Sequence, residues 1–374
     1  MNHKPLISII IPTYNRAHFL ERLLNHIAPQ AAKFGEVVQL CVSNNCSTDK
    51  TREIVASFQK KYPGLLHYGE NSGNVGIDRN ILKVMGMAEG EFVWLLGDDD
   101  IIVDDGVKKL IDFINAYCDN NTGLIILGKE PSFAGWKTGE EMAYSSSREK
   151  SNPEMYTISR KDVIGLNFPN KGFASVLLFN NDFLKKVLTE EKEIIQKAMG
   201  NYYIHVFLHR LMFLKYPQLQ ALRFLRDMLL IGELHYYKFY LEDRFKLSYA
   251  GPRNLNDLLL SSKYMTDDYK EIMVNLKRGG TKYFIIEMGL MKGFKVLRYV
   301  SFWGCINMFF QNAPPAAAVL FSIFFIVFLM TPSVFLRNLY KVFVRIRHKD
   351  WQETWSAAVA TYAAMSKGSQ RQAY

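Results

Sequence analysis

An apolar stretch that ends in three consecutive aspartates constrains this chain more than any other feature. Residues 91–102 read EFVWLLGDDDII, in which the apolar run leads through one glycine to Asp98, Asp99 and Asp100. The run predicts a buried strand. Adjacent carboxylates repel one another and are costly to bury, so they occur mostly where a divalent cation or a basic group neutralises them. The alternative is a solvated acidic turn, and the rest of the N-terminal half decides between the two.

Short apolar runs alternate with amphipathic stretches through this half. The pattern predicts strands at residues 6–11, 37–42, 65–68, 92–96 and 124–127. It predicts helices at residues 17–32, 79–88 and 104–118, and a further helix that Asp49 caps and that runs to residue 61. Such alternation is typical of an α/β fold in which helices cover both faces of a mostly parallel sheet.

Charge and cysteine content narrow the class of protein. The formal net charge is +10, which favours an anionic partner such as phosphate or an acidic membrane surface. The sequence shows no nucleic-acid-binding motif, so we expect no nucleic acid partner. The four cysteines are scattered without a CxxC pair, which indicates a reduced, cytosolic chain rather than a disulfide scaffold or a zinc site.

A long apolar segment near the C-terminus predicts contact with a membrane. Residues 299–336 contain no Asp, Glu, Lys or Arg, and residues 316–330 read AAAVLFSIFFIVFLM. Basic residues flank the segment on both sides, and the positive-inside rule would place both flanks in the cytosol. One crossing cannot do that, whereas a re-entrant hairpin or a pair of interfacial helices can. A buried hairpin in a soluble domain is the alternative.

Four motifs occur in order: ISIIIPTYNR, VSNNCSTDKT, NVGIDRN and WLLGDDD. Together they resemble the family 2 glycosyltransferases with a GT-A fold, over about residues 5–115. The GDDD variant and the NVGIDRN stretch are most similar to the abequosyltransferase-type enzymes of O-antigen assembly. The resemblance implies a nucleotide-sugar donor and a divalent metal, Mg²⁺ or Mn²⁺.

The resemblance also implies roles for particular residues. Asp99 would coordinate the metal that bridges the two phosphates, Asp98 would contact the ribose directly or through the metal, and Asp100 would be an alternative or second ligand. The donor contacts would come from Pro12, Tyr14, Asn15, Asn44, Asn45, Arg79 and Asp98. The family usually has Asp where this chain has Asn44 or Asn45. An amide can accept or donate a hydrogen bond, so the nucleotide base is left open among uracil, thymine and cytosine.

The catalytic base is harder to assign. Inverting enzymes of this fold use a carboxylate to take the proton of the acceptor hydroxyl. The family often carries it in a Glu-Asp pair, but the corresponding stretch here reads GNYYIHVFLHRLM and contains no acid. His205 is one candidate, since the pKa of histidine suits neutral pH. Asp182, Glu233 and Asp100 are the others. A structural histidine in an aromatic-rich helix is an equally good interpretation of His205.

These observations and the resemblance predict a metal-dependent glycosyltransferase, inverting as the family implies, which acts on a hydroxyl of a lipid-linked oligosaccharide. The setting would be the synthesis of O-antigen, capsule or exopolysaccharide at the cytoplasmic face of the bacterial inner membrane. We expect a GT-A domain over residues 1–240, divided into a nucleotide-sugar half (1–118) and an acceptor half (119–240). A helical extension (241–298), the membrane-associated segment (299–336) and a basic tail (337–374) would follow. A non-catalytic scaffold of the same fold and a nucleotidyltransferase are the alternatives, and the oligomeric state is open.

Overall fold

The computed structural model describes residues 4–129, 155–166, 174–230 and 251–270, and three helical positions at 338, 341 and 345. The chain divides into two compact units. The first comprises Met1–Ser132, Thr138–Glu233 and Ser261–Tyr269, and the second comprises Phe133–Lys137, Leu234–Leu260 and Lys270–Tyr374. The predicted base candidate Glu233 and the apolar segment 299–336 lie outside the described residues. No helix in the described ranges is long and apolar enough to cross a bilayer.

The first unit is built on one large sheet. Its strands are β1 (Ile7–Thr13), β2 (Val38–Asn44), β3 (Leu66–Glu70), β4 (Phe92–Leu95), β5 (Ile101–Ile102), β6 (Thr122–Lys129), β7 (Met155–Ile158), β8 (Leu177–Asn180) and β9 (Gln220–Leu230). Their order across the sheet is β3-β2-β1-β4-β8-β6-β9-β5, and β7 also pairs with β9.

Helices lie between most of these strands. They are α1 (Ala17–Ala32), α2 (Thr51–Lys61), α3 (Ile77–Gly86), α4 (Gly106–Tyr117), α5 (Arg160–Ile164), α6 (Asn181–Glu190), α7 (Lys192–Ala198) and α8 (Ile204–Lys215), and α9 (Gly251–Leu260) belongs to the second unit. Helix α1 packs on α2 and α4, whereas α3, α5, α6 and α7 pack on α8. Helix α8 is buried along nearly its whole length, from Ile204 to Leu214.

The expected parallel sheet holds only for the first four strands. Strand β1 pairs in parallel with β2 and β4, and β2 pairs in parallel with β3. Beyond β4 the sheet is mixed, because β8 runs antiparallel to both β4 and β6. Strand β9 is parallel to β6 and antiparallel to β5 and β7. The prediction of a mostly parallel sheet was therefore wrong for the second half, where no motif or regular spacing gave the strand direction.

The strand order reverses at β1. The chain builds β2 and β3 on one side of β1, then crosses back and adds β4 on the other side. Parallel strands covered on both faces have near-continuous apolar sequences, and the buried Ile7, Ile9, Ile10 and Ile11 of β1 follow that rule. In open α/β sheets, ligands bind beyond the carboxyl ends of the strands where the order reverses. The pair β1 and β4 is that place here, and β4 leads into the three aspartates.

The amino ends of β1 and β4 are joined by a close approach that only glycine permits. The backbone N–H groups of Glu89 and Gly90 both donate to the buried hydroxyl of Ser8. A Cβ atom on Gly90 would lie 2.5 Å from the backbone nitrogen of Ser8. Backbone atoms cannot move away as the end of a flexible side chain can, so this contact fixes the register of the two strands that carry the candidate site.

We therefore expect Gly90→Ala to lower the free energy of unfolding by about 1–3 kcal/mol, the usual cost of overpacking a close-packed interior. Gly86→Ala is the matched control, because a Cβ atom there meets nothing within 4 Å. At this helix-terminal position the substitution should be neutral or slightly stabilising. Urea denaturation of both variants measures the difference, and equal unfolding midpoints for the two would contradict the close approach.

Candidate functional site

The three aspartates after β4 are held in three different ways. Asp98 is 5% exposed and accepts a hydrogen bond from the hydroxyl of Thr13 at 2.7 Å. Asp99 is partly exposed, and one of its carboxylate oxygens accepts from Arg16 Nη2 at 2.5 Å. Asp100 is buried and accepts from the hydroxyl of Ser175. The aspartates are therefore anchored inside the protein, which argues against a freely solvated acidic turn.

One guanidinium joins the first two carboxylates. Arg16 lies with Nε 3.2 Å from Asp98 Oδ1 and with Nη2 on Asp99. Burial raises the pKa of Asp98 to about 7, the charge of Arg16 opposes that rise, and the neighbouring Asp99 carboxylate adds to it. The pocket therefore leaves Asp98 poorly compensated, and further positive charge there would favour its ionised form.

Gly97 makes this crowding possible. A Cβ atom at Gly97 would lie 2.9 Å from Asp100 Oδ2 and 3.1 Å from Asp99 Oδ1. Its backbone N–H donates to Ser175 Oγ at 2.8 Å, and the carbonyl of Ser175 in turn accepts from the indole of Trp94 at 2.7 Å. A side chain at Gly97 would therefore crowd the carboxylates of Asp99 and Asp100.

The predicted donor residues of β1 and its following turn lie next to the aspartates. Thr13 ends β1, and Tyr14 directly after it is 39% exposed. Asn15 has a positive φ of 52° and accepts a hydrogen bond from the backbone N–H of Thr48 at 2.7 Å. Pro12 pairs in register with Ser43 of β2. Tyr14 is therefore the member of this group whose ring is most accessible to a ligand.

Asn44 and Asn45 are tied into the protein. Asn44 is fully buried, donates to the hydroxyl of Tyr68 and accepts from the backbone N–H of Ser47. Asn45 is 3% exposed; its Oδ1 accepts from the backbone N–H of Val75 at 3.0 Å and its Nδ2 donates to Asn74 at 2.9 Å. Base recognition by Asn45 stays a prediction.

Asp49 serves two helices rather than one. Its Oδ1 accepts from the backbone N–H and the hydroxyl of Thr51 at the start of α2. Its Oδ2 accepts from the backbone N–H of Ala17 at the start of α1. This carboxylate therefore fixes the beginning of α1 directly after Arg16, a role that the predicted single cap did not include.

Asp78 and Arg79 lie in the first turn of α3, where Asp78 is buried and Arg79 faces solvent. Arg79 is exposed, as a residue that contacts a ligand would be. The carboxylate of Asp78 is 3% exposed and accepts from the backbone N–H groups of Gly200, Tyr202 and Ile204 at 2.8, 3.0 and 3.4 Å. Asp78 therefore holds the turn that precedes α8 against the helix that carries Arg79.

His205 lies in the first turn of α8, beside this Asp78 contact, and is 5% exposed. Its carbonyl is 3.1 Å from Nδ1 of His209, which is fully buried. Burial lowers the pKa of His209 well below its usual value, and the charges of Arg210 and His205 add to that effect. His205 therefore lies close to α3, the helix that carries Arg79, whereas His209 is fully buried in the core.

Asp182 is not brought to this site. It begins α6 at the surface and pairs with Lys4, which precedes β1, at 2.8 Å. Residue 180 pairs with Phe92 at the amino end of β4, so Asp182 lies at the edge of the sheet opposite to Asp98. The separation is on the order of 15–20 Å at about 3.3 Å per residue. Asp182 is therefore too far from the aspartates to be a good base candidate. The sequence suggested it because spacing alone does not give the direction of β8.

The chemistry of the aspartates fits a hard divalent cation. Carboxylate oxygens suit Mg²⁺ and Mn²⁺, and Mg²⁺ in nucleotide sites is usually held by one or two carboxylates together with substrate phosphates. Asp99, with Asp98 behind it, offers that number. No group of three His, Cys, Asp or Glu side chains arranged to hold a metal ion is found in the described part of the chain.

Four residues of the site were missed in the sequence. Thr13 and Arg16 stand inside the first motif and Asp78 inside the third, but none of them had a role assigned, and Ser175 lies in no motif. The pairing of β4 with β1 and β8 brings three of them, Thr13, Arg16 and Ser175, into contact with the aspartates. Asp78 contacts a turn more than 120 residues away in the sequence.

The Asp78 contact generates a stability prediction. Burial raises the pKa of Asp78, although the backbone N–H groups oppose the rise. The folded protein therefore holds this proton more tightly than the unfolded chain. The ionised carboxylate costs stability above its folded pKa, and that cost disappears as pH falls below the unfolded pKa of about 3.9.

We expect Asp78→Ala to lower the free energy of unfolding by about 2–4 kcal/mol, since buried N–H groups lose their acceptor. Asp78→Asn keeps an acceptor oxygen and has no charge to bury, so it should lose less and should flatten the rise in stability on acidification. Urea denaturation between pH 4 and pH 8 measures both effects. Equal losses for the two variants would show that Asp78 acts through packing alone.

The first half of the chain is similar to known glycosyltransferases. Residues 8–182 match the model of glycosyl transferase family 2. The abequosyltransferase RfbV of Salmonella typhimurium is 40% identical over 114 residues, which cover 30% of this chain and 34% of that protein. A Campylobacter jejuni enzyme named GalNAc(5)-diNAcBac-PP-undecaprenol beta-1,3-glucosyltransferase is 26% identical over 197 residues, which cover 53% of this chain and 57% of that protein. The chain thus spans less than two thirds of either relative.

Two solved structures share the fold. The mannosyltransferase PcManGT from Pyrobaculum calidifontis, solved with GDP-Man and Mn²⁺, superimposes with a TM-score of 0.51 at 14% identity, over 98% of this chain and 88% of that one. Residues 1–349 of Staphylococcus aureus TarS superimpose with a TM-score of 0.50 at 18% identity, over 71% of this chain and 69% of that one. These likenesses support the GT-A type of fold. Residues 8–182 are therefore similar to glycosyl transferase family 2 in sequence, and the chain is similar to these two structures in fold.

Proposed function

We propose that this chain transfers one sugar from a nucleoside-diphosphate sugar to a hydroxyl of a lipid-linked oligosaccharide in the synthesis of a bacterial surface polysaccharide. The observation that carries the proposal is the contact between Thr13 and Asp98. It joins the ends of β1 and β4 at the reversal of strand order and places the aspartates where α/β sheets bind nucleotides. The names of RfbV and of the Campylobacter relative, both sugar transferases, support the reaction class.

The donor would lie across the ends of β1 and β4. Tyr14 and Arg79 are exposed there and are free to contact the base or the diphosphate, whereas Asn15, Asn44 and Asn45 shape the loops around them. Asp99, with Asp98, would hold Mg²⁺ or Mn²⁺. A bound divalent ion orients a diphosphate and neutralises the charge that builds on it as it leaves. The Mn²⁺ and GDP-Man of PcManGT, a protein of the same fold, support this choice.

The net charge of the chain and its apolar segment support the proposed acceptor and location. A chain with net charge +10 favours an anionic substrate or surface. The name of the Campylobacter relative includes a polyprenol diphosphate, which supports a lipid-linked acceptor. The uncharged segment 299–336 would hold the chain at the cytoplasmic face of the inner membrane. The domain limits given above, inversion at the sugar and the membrane contact are part of the same proposal.

The decisive test is donor binding. Nucleoside diphosphates of all common bases are titrated into the purified full chain by calorimetry, with Mn²⁺ and with EDTA. We expect one base class to bind with Mn²⁺ and to lose at least tenfold in affinity with EDTA or in Asp99→Asn, because the metal would lose its main protein ligand. Asp182→Asn is the matched control and should bind as the parent does. Binding that ignores both the metal and Asp99 would refute the proposal.

A second test concerns the catalytic base. In the proposed site His205 takes the proton of the attacking hydroxyl, so His205→Gln should slow hydrolysis of the bound nucleotide sugar by about 10²–10⁴-fold and leave donor affinity unchanged. His209→Gln, four residues further along α8, is the control for damage to the helix. If both variants lose the same activity, His205 is structural, and Asp100 and Glu233 remain as base candidates.

A further inference from the structure

Arg16 occupies the position from which a metal would be expected to neutralise the aspartates. Its guanidinium lies on Asp98 and Asp99 together, at 3.2 and 2.5 Å. It also stacks over the ring of Phe19 with its central carbon 4.8 Å from the ring centroid. The side chain of Arg16 is 35% exposed and that of Asp98 only 6%. The negative charge of Asp98 and Asp99 is therefore already partly neutralised by a residue of the chain itself.

A divalent cation and this guanidinium compete for the same oxygen. Asp99 Oδ2, the atom that Arg16 Nη2 contacts, belongs to the most exposed carboxylate of the three. Two cations on one carboxylate repel each other strongly at such short range. Metal binding to the free protein must therefore displace Arg16 or bear its repulsion.

A diphosphate offers the displaced Arg16 a new partner. A guanidinium carries five donors in a planar fork that matches phosphate oxygens, and it stays charged at all working pH values. Arg16 is partly exposed and directly precedes α1, whose first N–H is fixed by Asp49. Its side chain can therefore move while its backbone stays in place.

Arg22 does not share this freedom. Its Nη2 donates to the backbone carbonyl of Asp99 at 3.0 Å, and its guanidinium carbon lies 5.5 Å from the centroid of the Phe19 ring. Arg22 supports the loop through the backbone carbonyl of Asp99, which is not one of the proposed metal ligands. The two arginines around Phe19 therefore differ in function, one holding the loop and the other holding the carboxylates.

We propose that Arg16 is a resident counterion that keeps the metal off the free enzyme and moves to the diphosphate when metal and donor bind together. The inference rests on the proposed donor site. It makes Arg16 a positioning residue that couples metal binding to nucleotide binding. Metal alone would bind weakly, nucleotide alone would bind weakly, and each would strengthen the other by the same factor.

The test measures Mn²⁺ binding without any nucleotide, by the loss of the free-ion electron paramagnetic resonance signal. We expect Arg16→Met to bind Mn²⁺ alone about tenfold more tightly than the parent, because a competing charge has gone. The same variant should lose most of the mutual strengthening between Mn²⁺ and the nucleoside diphosphate that the parent binds. Arg16→Lys keeps the charge and should behave more like the parent.

Lys4→Met is the control, since it removes one positive charge from an ion pair with an aspartate at the opposite edge of the sheet. It should change neither measurement. Unchanged or weaker Mn²⁺ binding in a folded Arg16→Met protein overturns the role of Arg16 and leaves the proposed function standing. If none of the nucleoside diphosphates binds to the parent in the presence of Mn²⁺, the proposed function fails and this inference fails with it.

Discussion

The hydrogen bond between Thr13 and Asp98 is the interaction on which the candidate site depends. It joins the ends of the two strands between which the strand order reverses, and it holds a carboxylate that burial would otherwise disfavour. Around it, Arg16 contacts the carboxylates of Asp98 and Asp99, and the hydroxyl of Ser175 donates to Asp100. Gly97 leaves room for these carboxylates, since a Cβ atom there would lie 2.9 Å from Asp100 Oδ2 and 3.1 Å from Asp99 Oδ1.

A second constraint links the donor side of the site to the half that follows. Asp78 lies in the same motif as Arg79, and its carboxylate receives three backbone N–H groups from the turn before α8. That turn leads directly to His205. Any shift of α3 on donor binding would therefore also shift the start of α8, since a buried carboxylate with these bonds does not exchange partners cheaply.

Much of the first half could be predicted from the sequence, for identifiable reasons. The helix over Ala17–Ala32 was predicted at its observed limits because its apolar residues recur at helical spacing. The strand before the aspartates was predicted because it is continuously apolar. The end of the first strand was less well placed: it was predicted at residue 11, whereas Pro12 and Thr13 also belong to β1, because pairing with β2 continues through them.

The second half could not be predicted in the same way. Strand direction depends on pairing partners far apart in the chain, and neither the antiparallel β8 nor the distance of Asp182 from the aspartates had a local signal. Arg16, Ser175 and Asp78 were missed for the same reason. Asn45 was predicted to contact the base from its place in the second motif, but the motif gave no sign that its amide also bonds to Asn74 and to the backbone of Val75.

The central claim is that a metal and a diphosphate meet at Asp99 beyond the ends of β1 and β4. The most direct measurement is an anomalous difference map of crystals grown with Mn²⁺ and the nucleoside diphosphate that binds. We expect one manganese peak at a coordinating distance of about 2.1 Å from an Asp99 oxygen, in contact with both phosphates. A manganese peak elsewhere, or a diphosphate that lies away from the ends of these two strands, would contradict the account.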